Sequence, residues 1–301
     1  MSPQSEDVSV NPLRVEPSEA QADALLCEQA VGGDAQALAE LVRRHQRWIY
    51  NLSLRLVLSP ADAEDLSQEA LVRIVTRLAQ FQGRASFATW AYRIVVNCFL
   101  DGKRRKMEQA VRSFEAYGQE LDSLALEPLV LPPWQEPERQ VMVEDAKVGC
   151  MLGMLLCLSR EQRLAYVLGE VFETPSAVAA EILGVSPAAF RKRLERARRD
   201  LTGFMNDKCG LLRETNPCRC ERKTRAFVAQ GWVEPGKPKF TRAHVARLKA
   251  SAPQSSQVLC SLEERYAALF RQHPLLEGPD LASAVTGLLA NPEVRRSLGW
   301  D

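Results

Sequence analysis

The chain has 301 residues, enough for two or three small domains, and 46% of them are hydrophobic, so ordinary buried cores are expected. The sequence contains no run of about 18 apolar residues, so no membrane span is expected. The acidic, polar N-terminus does not fit a secretory signal. The formal net charge of +1 excludes a uniformly basic or acidic protein but conceals two charged segments.

These two segments have opposite signs. Residues 114–145 contain eight acidic residues against the single base Arg139, whereas residues 187–199 contain six bases against Glu195. Such a division suits separate contacts with a basic partner and with polyanions, or an acidic segment that imitates nucleic acid.

The N-terminal part is predicted to hold two helices after a disordered start. Residues 1–17 are polar and contain three prolines, which favours disorder. One helix is predicted from Ser18 to about Val31, and Asp34 can cap the next. His45 lies within the apolar stripe of that second helix, and we expect it to be a packing or partly exposed histidine.

An acidic helix is predicted after Ser59-Pro60, because a capping hydroxyl followed by proline is a strong helix-start signal. Its apolar residues form one stripe, and Asp65, Gln68 and Glu69 lie off that stripe. This face is either simply solvated or a docking surface for a basic helical partner.

An aromatic helix is predicted to follow Gly83, with Ser86 as its cap. Its apolar spacing places Phe87 and Trp90 on one face, while Tyr92, Arg93 and Asn97 lie elsewhere. The helix ends in four adjacent bases, Lys103, Arg104, Arg105 and Lys106. These bases complement the helix dipole, and they also suit phosphates. Aromatics beside a basic run fit single-stranded nucleic acid, although spacing alone also allows Trp90 to be a core residue.

Residues 107–145 lack the helical pattern, are rich in acidic residues and contain four prolines, which predicts a linker.

From 146 to 207 the helical pattern resumes. Two short helices are predicted on either side of Gly184, the second capped by Ser186. The second helix exposes a basic surface that includes Arg191, Lys192, Arg193 and Arg196. Two capped helices around a glycine turn are typical of a helix-turn-helix, whose second helix enters the major groove.

Residues 208–301 form an extension in which Cys209, Cys218 and Cys220 lie within twelve residues. A Cys-x-Cys pair can ligate zinc or another soft metal, with His244 or Cys260 as a candidate fourth ligand. Free structural thiols and a regulatory disulfide are the alternatives. Eight cysteines scattered through a chain of this size indicate reduced thiols, and we expect the protein to be cytoplasmic.

Motifs of catalysis are missing from the sequence. It contains no Gly-rich phosphate loop, no His–carboxylate metal cluster and no nucleophile elbow. We therefore expect a protein that is not an enzyme and that requires no cofactor.

Two stretches resemble one family. Asp62-Ala-Glu-Asp65-Leu-Ser-Gln68-Glu69, followed by Phe81-Gln-Gly-Arg-Ala-Ser-Phe87-Ala-Thr-Trp90-Ala-Tyr92-Arg93-Ile, resembles region 2 of bacterial RNA polymerase sigma factors of the extracytoplasmic-function (ECF) group. Leu158-Ser-Arg-Glu-Gln-Arg-Leu and the segment from Ala179 to Arg199 resemble region 4 of that group. The order of the two stretches and the acidic linker also fit, and the resemblance covers roughly residues 20–207.

The resemblance implies an all-α fold and a division of the chain. Residues 18–106 would form region 2, which binds core polymerase and the minus-ten element; 107–145 the linker; 146–207 region 4, which binds the minus-thirty-five element; and 208–301 a regulatory extension. It assigns polymerase docking to Asp65, Gln68 and Glu69. It assigns the opened minus-ten element to a second set: Phe87, Trp90, Tyr92, Arg93, Asn97, Lys103, Arg104 and Arg105.

In region 4 the resemblance assigns the upstream element to Arg191, Lys192, Arg193 and Arg196. The implied partners are core RNA polymerase, promoter DNA and, as a further candidate, an anti-sigma factor. Two departures matter: Ala91 replaces a bulky residue, and Pro187-Ala-Ala replaces a small polar start, so that base contacts are expected to begin at Arg191. A stand-alone helix-turn-helix regulator and a metal- or redox-responsive regulator are the alternative functions.

Overall fold

The computed structural model describes residues 13, 15–103, 108–109, 113–132, 135–237, 239, 278–288, 291–297 and 300. Within these residues the secondary structure is helical, and the only β-type pairing is an isolated backbone β-bridge between Cys209 and Cys218, which is not a disulfide. The helices are α1 (Pro17–Val31), α2 (Ala35–Val57), α3 (Pro60–Thr76), α4 (Phe87–Asp101), α5 (Phe114–Ser123), α6 (Glu136–Leu156), α7 (Arg160–Tyr166), α8 (Ser176–Leu183), α9 (Pro187–Lys208), α10 (Cys220–Ala229), α11 (Leu281–Leu288) and α12 (Pro292–Ser297). The prediction of an all-α fold is confirmed.

Three of the predicted helix starts in the first module are formed by side-chain caps. The Ser59 hydroxyl accepts from the Asp62 amide at 3.3 Å, and the Ser86 hydroxyl from the Thr89 amide at 3.2 Å. The Asp34 carboxylate accepts from the amides of Gln36 and Ala37. Each cap satisfies amides that have no partner within their own helix. The first helix differs from its prediction, because it begins at Pro17, whose missing amide hydrogen suits that position.

The first module consists of α1 to α4. Helix α2 lies at its centre and packs against α1, α3 and α4. His45 of α2 is buried, with its Nε2 3.0 Å from a carboxylate oxygen of Asp23, and its Nδ1 accepts from Trp48 at 2.9 Å. The expected packing role of His45 is therefore confirmed. Its contact with Asp23 joins α1 to α2, while its contact with Trp48 lies within α2.

The connector between the modules is partly helical. Helix α5 lies within it, and α6 begins at Glu136 rather than near Val148, where the apolar pattern resumes. Pro137 lies in the first turn of α6, where proline starts a helix instead of interrupting it. Phe114 and Phe204 pack with ring centroids 5.2 Å apart, so α5 lies against the end of α9.

The second module consists of α6 to α9. Gly184 ends α8 with φ of +62°, a left-handed conformation that glycine adopts without strain, and Ser186 caps α9. The predicted helix-turn-helix is thus present. Helix α8 also packs against α4, so the two modules contact each other. No helix among the described residues is both long enough and apolar enough to cross a bilayer.

Candidate functional site

The acidic face of α3 is open to solvent. Asp65 and Gln68 are exposed, while Glu69 is half-buried and accepts from Arg73 at 2.7 Å. The side chain of Gln68 donates to Glu64 at 3.3 Å. Because the opposite face of α3 is packed into the core, the acidic face is held rigidly and is accessible to a basic partner.

An aromatic cluster lies at the start of α4. The ring of Trp90 is 5.5 Å from that of Phe81 and 5.8 Å from that of Phe87. Phe87 is only 3% exposed, so it is a core residue in this conformation, whereas Trp90 is half-buried. Trp90 therefore packs on the core and stays partly exposed, and its contact with nucleic acid stays a prediction.

Polar residues of α4, together with Lys103 just after its end, form an exposed surface next to that cluster. Arg93, Asn97 and Lys103 are exposed, and Arg93 lies 4.0 Å from Glu181 of the second module. Arg104 and Arg105, which belong to the same predicted basic run, lie outside the described residues. The described part of this surface has the composition and exposure that phosphate contacts require.

Tyr92 does not belong to that exposed surface. It is fully buried, stacks on Trp48 with a centroid distance of 5.9 Å, and meets the ring of Phe172 at 6.0 Å. The expectation that Tyr92 lies off the buried face of α4 is therefore wrong in this structure. Phe172 belongs to the second module, and helix periodicity within the first module carries no signal for such a contact.

Helix α9 presents its bases to solvent. Arg191, Lys192 and Arg196 are exposed and Arg193 is half-buried, while Phe190, Leu194 and Ala197 are buried on the opposite face. Arg198, a further base of the same helix, is held by the Glu170 carboxylate, to which its Nε donates at 2.8 Å. The exposed bases therefore extend along α9 from Arg191 to Arg199.

A buried ionic network joins the two modules, and sequence reasoning did not identify it. Arg160 donates to the backbone oxygens of Phe99, Leu100, Gly102 and Lys103, and to the Glu108 carboxylate. Arg163 donates to Glu108 at 3.1 Å and to the Leu56 carbonyl. Burial lowers the pKa of Arg163 to about 10, and the charge of Glu108 opposes that shift.

This network ends α4 in a way that the sequence did not indicate. The last carbonyls of a helix lack partners within the helix and carry partial negative charge. The sequence predicted that the basic run after Gly102 would complement the negative end of this helix dipole. In the structure, the guanidinium of Arg160 from the second module lies at that end of α4. Arg160 and Arg163 lie within the segment that resembles region 4, and their positions gave no sign of a contact with α4.

Three thiols of the extension lie near Cys150 of α6. The backbones of Cys209 and Cys218 form the isolated β-bridge, and the Gly210 amide donates to the Cys218 carbonyl at 3.1 Å. Burial raises the pKa of the Cys150 thiol to about 12, with Cys218 and Cys209 adding to the shift. Burial also raises the pKa of Cys220, and Cys150 contributes to that shift.

Among the described residues, no three His, Cys, Asp or Glu side chains are grouped so that they can hold a metal ion. All seven described cysteines are unpaired thiols. The metal prediction for Cys209, Cys218 and Cys220 stays a prediction, and its candidate fourth ligands, His244 and Cys260, lie outside the described residues.

Comparisons with protein families match both modules. Residues 41–109 match the family described as Sigma-70 region 2, and residues 149–201 match Sigma-70, region 4. The first match contains α3, α4 and Glu108, and the second contains the helix-turn-helix. The extension after residue 201 lies outside both matches.

Individual relatives match more than half of the chain. The RNA polymerase sigma factor CnrH of Cupriavidus metallidurans is 30% identical over 187 residues, 62% of this chain and 95% of the relative. The ECF RNA polymerase sigma factor SigW of Bacillus subtilis is 28% identical over 60% of this chain and 95% of its own. SigE of Mycolicibacterium smegmatis, also an ECF RNA polymerase sigma factor, is 30% identical over 58% of this chain and 64% of its own.

A solved structure is also similar to this chain. In the structure of CnrH in complex with the cytosolic domain of CnrY, the matched chain is 22% identical in sequence, with a TM-score of 0.43. The match covers 62% of this chain and 97% of that chain.

Proposed function

Because the chain belongs to the ECF sigma factors of RNA polymerase, we propose that its two modules divide promoter recognition and polymerase binding in the way that their exposed surfaces suggest. The observation that carries the proposal is that both sigma regions match, in order, on the two modules that bear these surfaces. A stand-alone helix-turn-helix regulator would account for the second module but not for the first.

The acidic face of α3 is the proposed docking surface for core polymerase. Asp65 and Gln68 are exposed, and Glu69 is partly exposed beside them, on a helix whose other face is fixed in the core. Such a rigid acidic face suits a basic helix of the partner, because opposite charges fix register and speed association.

The exposed surface of α4 is proposed to hold the opened minus-ten element. Arg93, Asn97 and Lys103 would contact phosphates, and the partly exposed Trp90 would pack against a base. Tyr92 and Phe87 have the same assignment from the family resemblance, but they are buried here. Contact between Tyr92 and DNA therefore requires that the second module move away from α4.

The exposed bases of α9 are proposed to recognise the upstream element in the major groove. Arg191, Lys192, Arg193 and Arg196 lie near the N-terminal end of the second helix of the helix-turn-helix, where base contacts are made in this motif. The acidic connector 107–145 is proposed to enter the RNA channel of polymerase, where its charge would imitate RNA. These partners place its action in the cytoplasm.

The polymerase assignment is tested with the double variant Asp65→Ala/Glu69→Ala. The matched control is Glu28→Ala/Glu40→Ala. Glu28 is an exposed acid like Asp65, and Glu40 is paired with Arg43 of its own helix as Glu69 is paired with Arg73. We expect the α3 variant to bind core polymerase at least ~10-fold more weakly and the control to bind as the wild type does, both with unchanged helical content. Equal affinity of the α3 variant would remove the assignment.

A soft metal at Cys209, Cys218 and Cys220 is a separate proposal. Because a metal binds the thiolate, occupancy would release protons from thiols whose pKa is raised by burial. Elemental analysis of protein purified without chelator tests it, with Cys218→Ser as the comparison. A wild-type protein free of zinc and copper would remove it. An anti-sigma factor stays a predicted partner.

A further inference from the structure

The end of the chain packs against the first module. Helix α11 contacts α2 and α3, and α12 contacts α3. We call residues 278–288, 291–297 and 300 the C-terminal segment. It lies outside both regions that match the sigma families, so its position is a property of this chain rather than of the matched regions.

The first anchor of the C-terminal segment is a cap supplied by another helix. The side-chain oxygen of Gln46, on α2, accepts from the amides of Leu281 at 2.8 Å and Ala282 at 3.1 Å. These are the first amides of α11 and have no partner within that helix. Leu281 is 1% exposed, so the start of α11 is inserted into the first module rather than resting on it.

Two further anchors lie on either side of this cap. Gly278 has φ of +75°, and a Cβ built there would lie 2.8 Å from the Tyr50 ring, so this approach requires glycine. Near the end of the chain, the indole nitrogen of Trp300 donates to the Ala30 carbonyl at 2.7 Å, at the end of α1. Three separate anchors indicate a specific contact.

The C-terminal segment touches α3, the helix that carries the acidic face, because α11 and α12 both contact it. Tyr50 lies under Gly278, and its pKa is raised by burial and by the charge of Glu64, the neighbour of Asp65. Asp65 and Gln68 themselves remain exposed. A partner helix is about 10 Å wide with its side chains. A helix that docks on this face therefore also covers neighbouring parts of α3, the helix that α11 and α12 contact.

We propose that the C-terminal segment is an internal competitor of core polymerase: it is docked on the first module in the free chain and is displaced when polymerase binds α3. The proposal rests on the polymerase-binding role of α3 given above. Because the competitor is part of the same chain, its effective concentration is of millimolar order, so even a weak contact is well occupied. A segment docked in about 90–99% of free chains would lower the apparent affinity for polymerase about 10- to 100-fold.

The test uses the full chain with the double variant Gly278→Val/Trp300→Ala, titrated with core RNA polymerase. The valine would clash with Tyr50, and the second change removes the indole donor, while α1 to α4 keep their sequence. The matched control is Gly287→Ala, an exposed position of α11 where an added Cβ meets no atom within 4 Å. We expect the double variant to bind polymerase at least ~10-fold more tightly than the wild type, and the control to bind equally.

Hydrogen exchange gives a second readout. In the free wild type the amides of Leu281 and Ala282 should be protected, and they should exchange faster in the double variant and in the wild-type complex with polymerase. Equal or weaker affinity of the double variant, protection that survives in it, or protection that survives in the complex would each overturn the inference. If neither the wild type nor any variant binds core polymerase, the proposed function fails, and this inference fails with it.

Discussion

At the residue scale, the most consequential side chains are buried charges that no motif singled out. Arg163 and Glu108 are 2% and 6% exposed, respectively, and form an ion pair 55 residues apart in the chain. Glu108 falls within a stretch whose composition predicted a linker. A buried charge is stable only with a partner, and the identity of that partner is not encoded in local pattern.

The Glu108 carboxylate is expected to be essential for stability. Glu108→Gln keeps the shape but leaves Arg163 buried without its counter-charge, which should lower the free energy of unfolding by about 3 kcal/mol. Denaturant unfolding followed by circular dichroism measures the effect. The control is Glu120→Gln, an exposed acid on α5. A loss for Glu108→Gln no larger than that of the control would show that the network does not stabilise the fold.

At the element scale, helix starts were predictable and helix surfaces only in part. Ser59, Ser86 and Ser186 cap helices where the sequence indicated caps, because capping depends on residues within one turn. The prediction that Pro137 interrupts the helical pattern is wrong. Proline disrupts the interior of a helix but is favoured in its first turn, where Pro137 lies. For α9 both the buried and the exposed faces follow the predicted spacing.

The exposed bases of α9 should contribute unequally. Arg191→Ala or Arg196→Ala should weaken binding to the upstream promoter element by about 1–3 kcal/mol each, because each removes a donor that can contact a base edge. Arg198→Ala should have a smaller effect on this affinity, since Arg198 is paired with Glu170. Fluorescence anisotropy of holoenzyme on promoter fragments with intact and scrambled upstream elements separates base contacts from phosphate contacts. Equal losses on both fragments would contradict base recognition.

At the scale of the whole molecule, the two modules and the C-terminal segment form one packed arrangement. Tyr92 lies beneath Phe172, and Arg160 covers the end of α4. Three polar atoms in this interface, the Tyr92 hydroxyl and the Nε and Nη2 of Arg55, are buried without a hydrogen-bond partner among the described residues. Each such group costs about 1–3 kcal/mol, which favours an interface that can open.

Loss of the Arg160 guanidinium should make opening easier. Arg160→Ala removes the hydrogen bonds to four carbonyls of the α4 end and to Glu108, and we expect a larger radius of gyration by small-angle scattering and unchanged helical content. Arg199→Ala is the control, because its side chain is 70% exposed. An unchanged radius for Arg160→Ala would mean that other contacts suffice to hold the modules together.

The sequence by itself determined the helical class, the two modules in their order, the caps of the main helices and the bases of α9. These features depend on periodicity and on neighbours within a few residues, which sequence displays directly. Only the tertiary structure decided that Tyr92 is covered, that Arg160 and Arg163 meet Glu108, and that Gln46 caps α11. These contacts join residues from about 50 to more than 230 positions apart, and their partners are selected by packing geometry and by the need to satisfy buried polar groups.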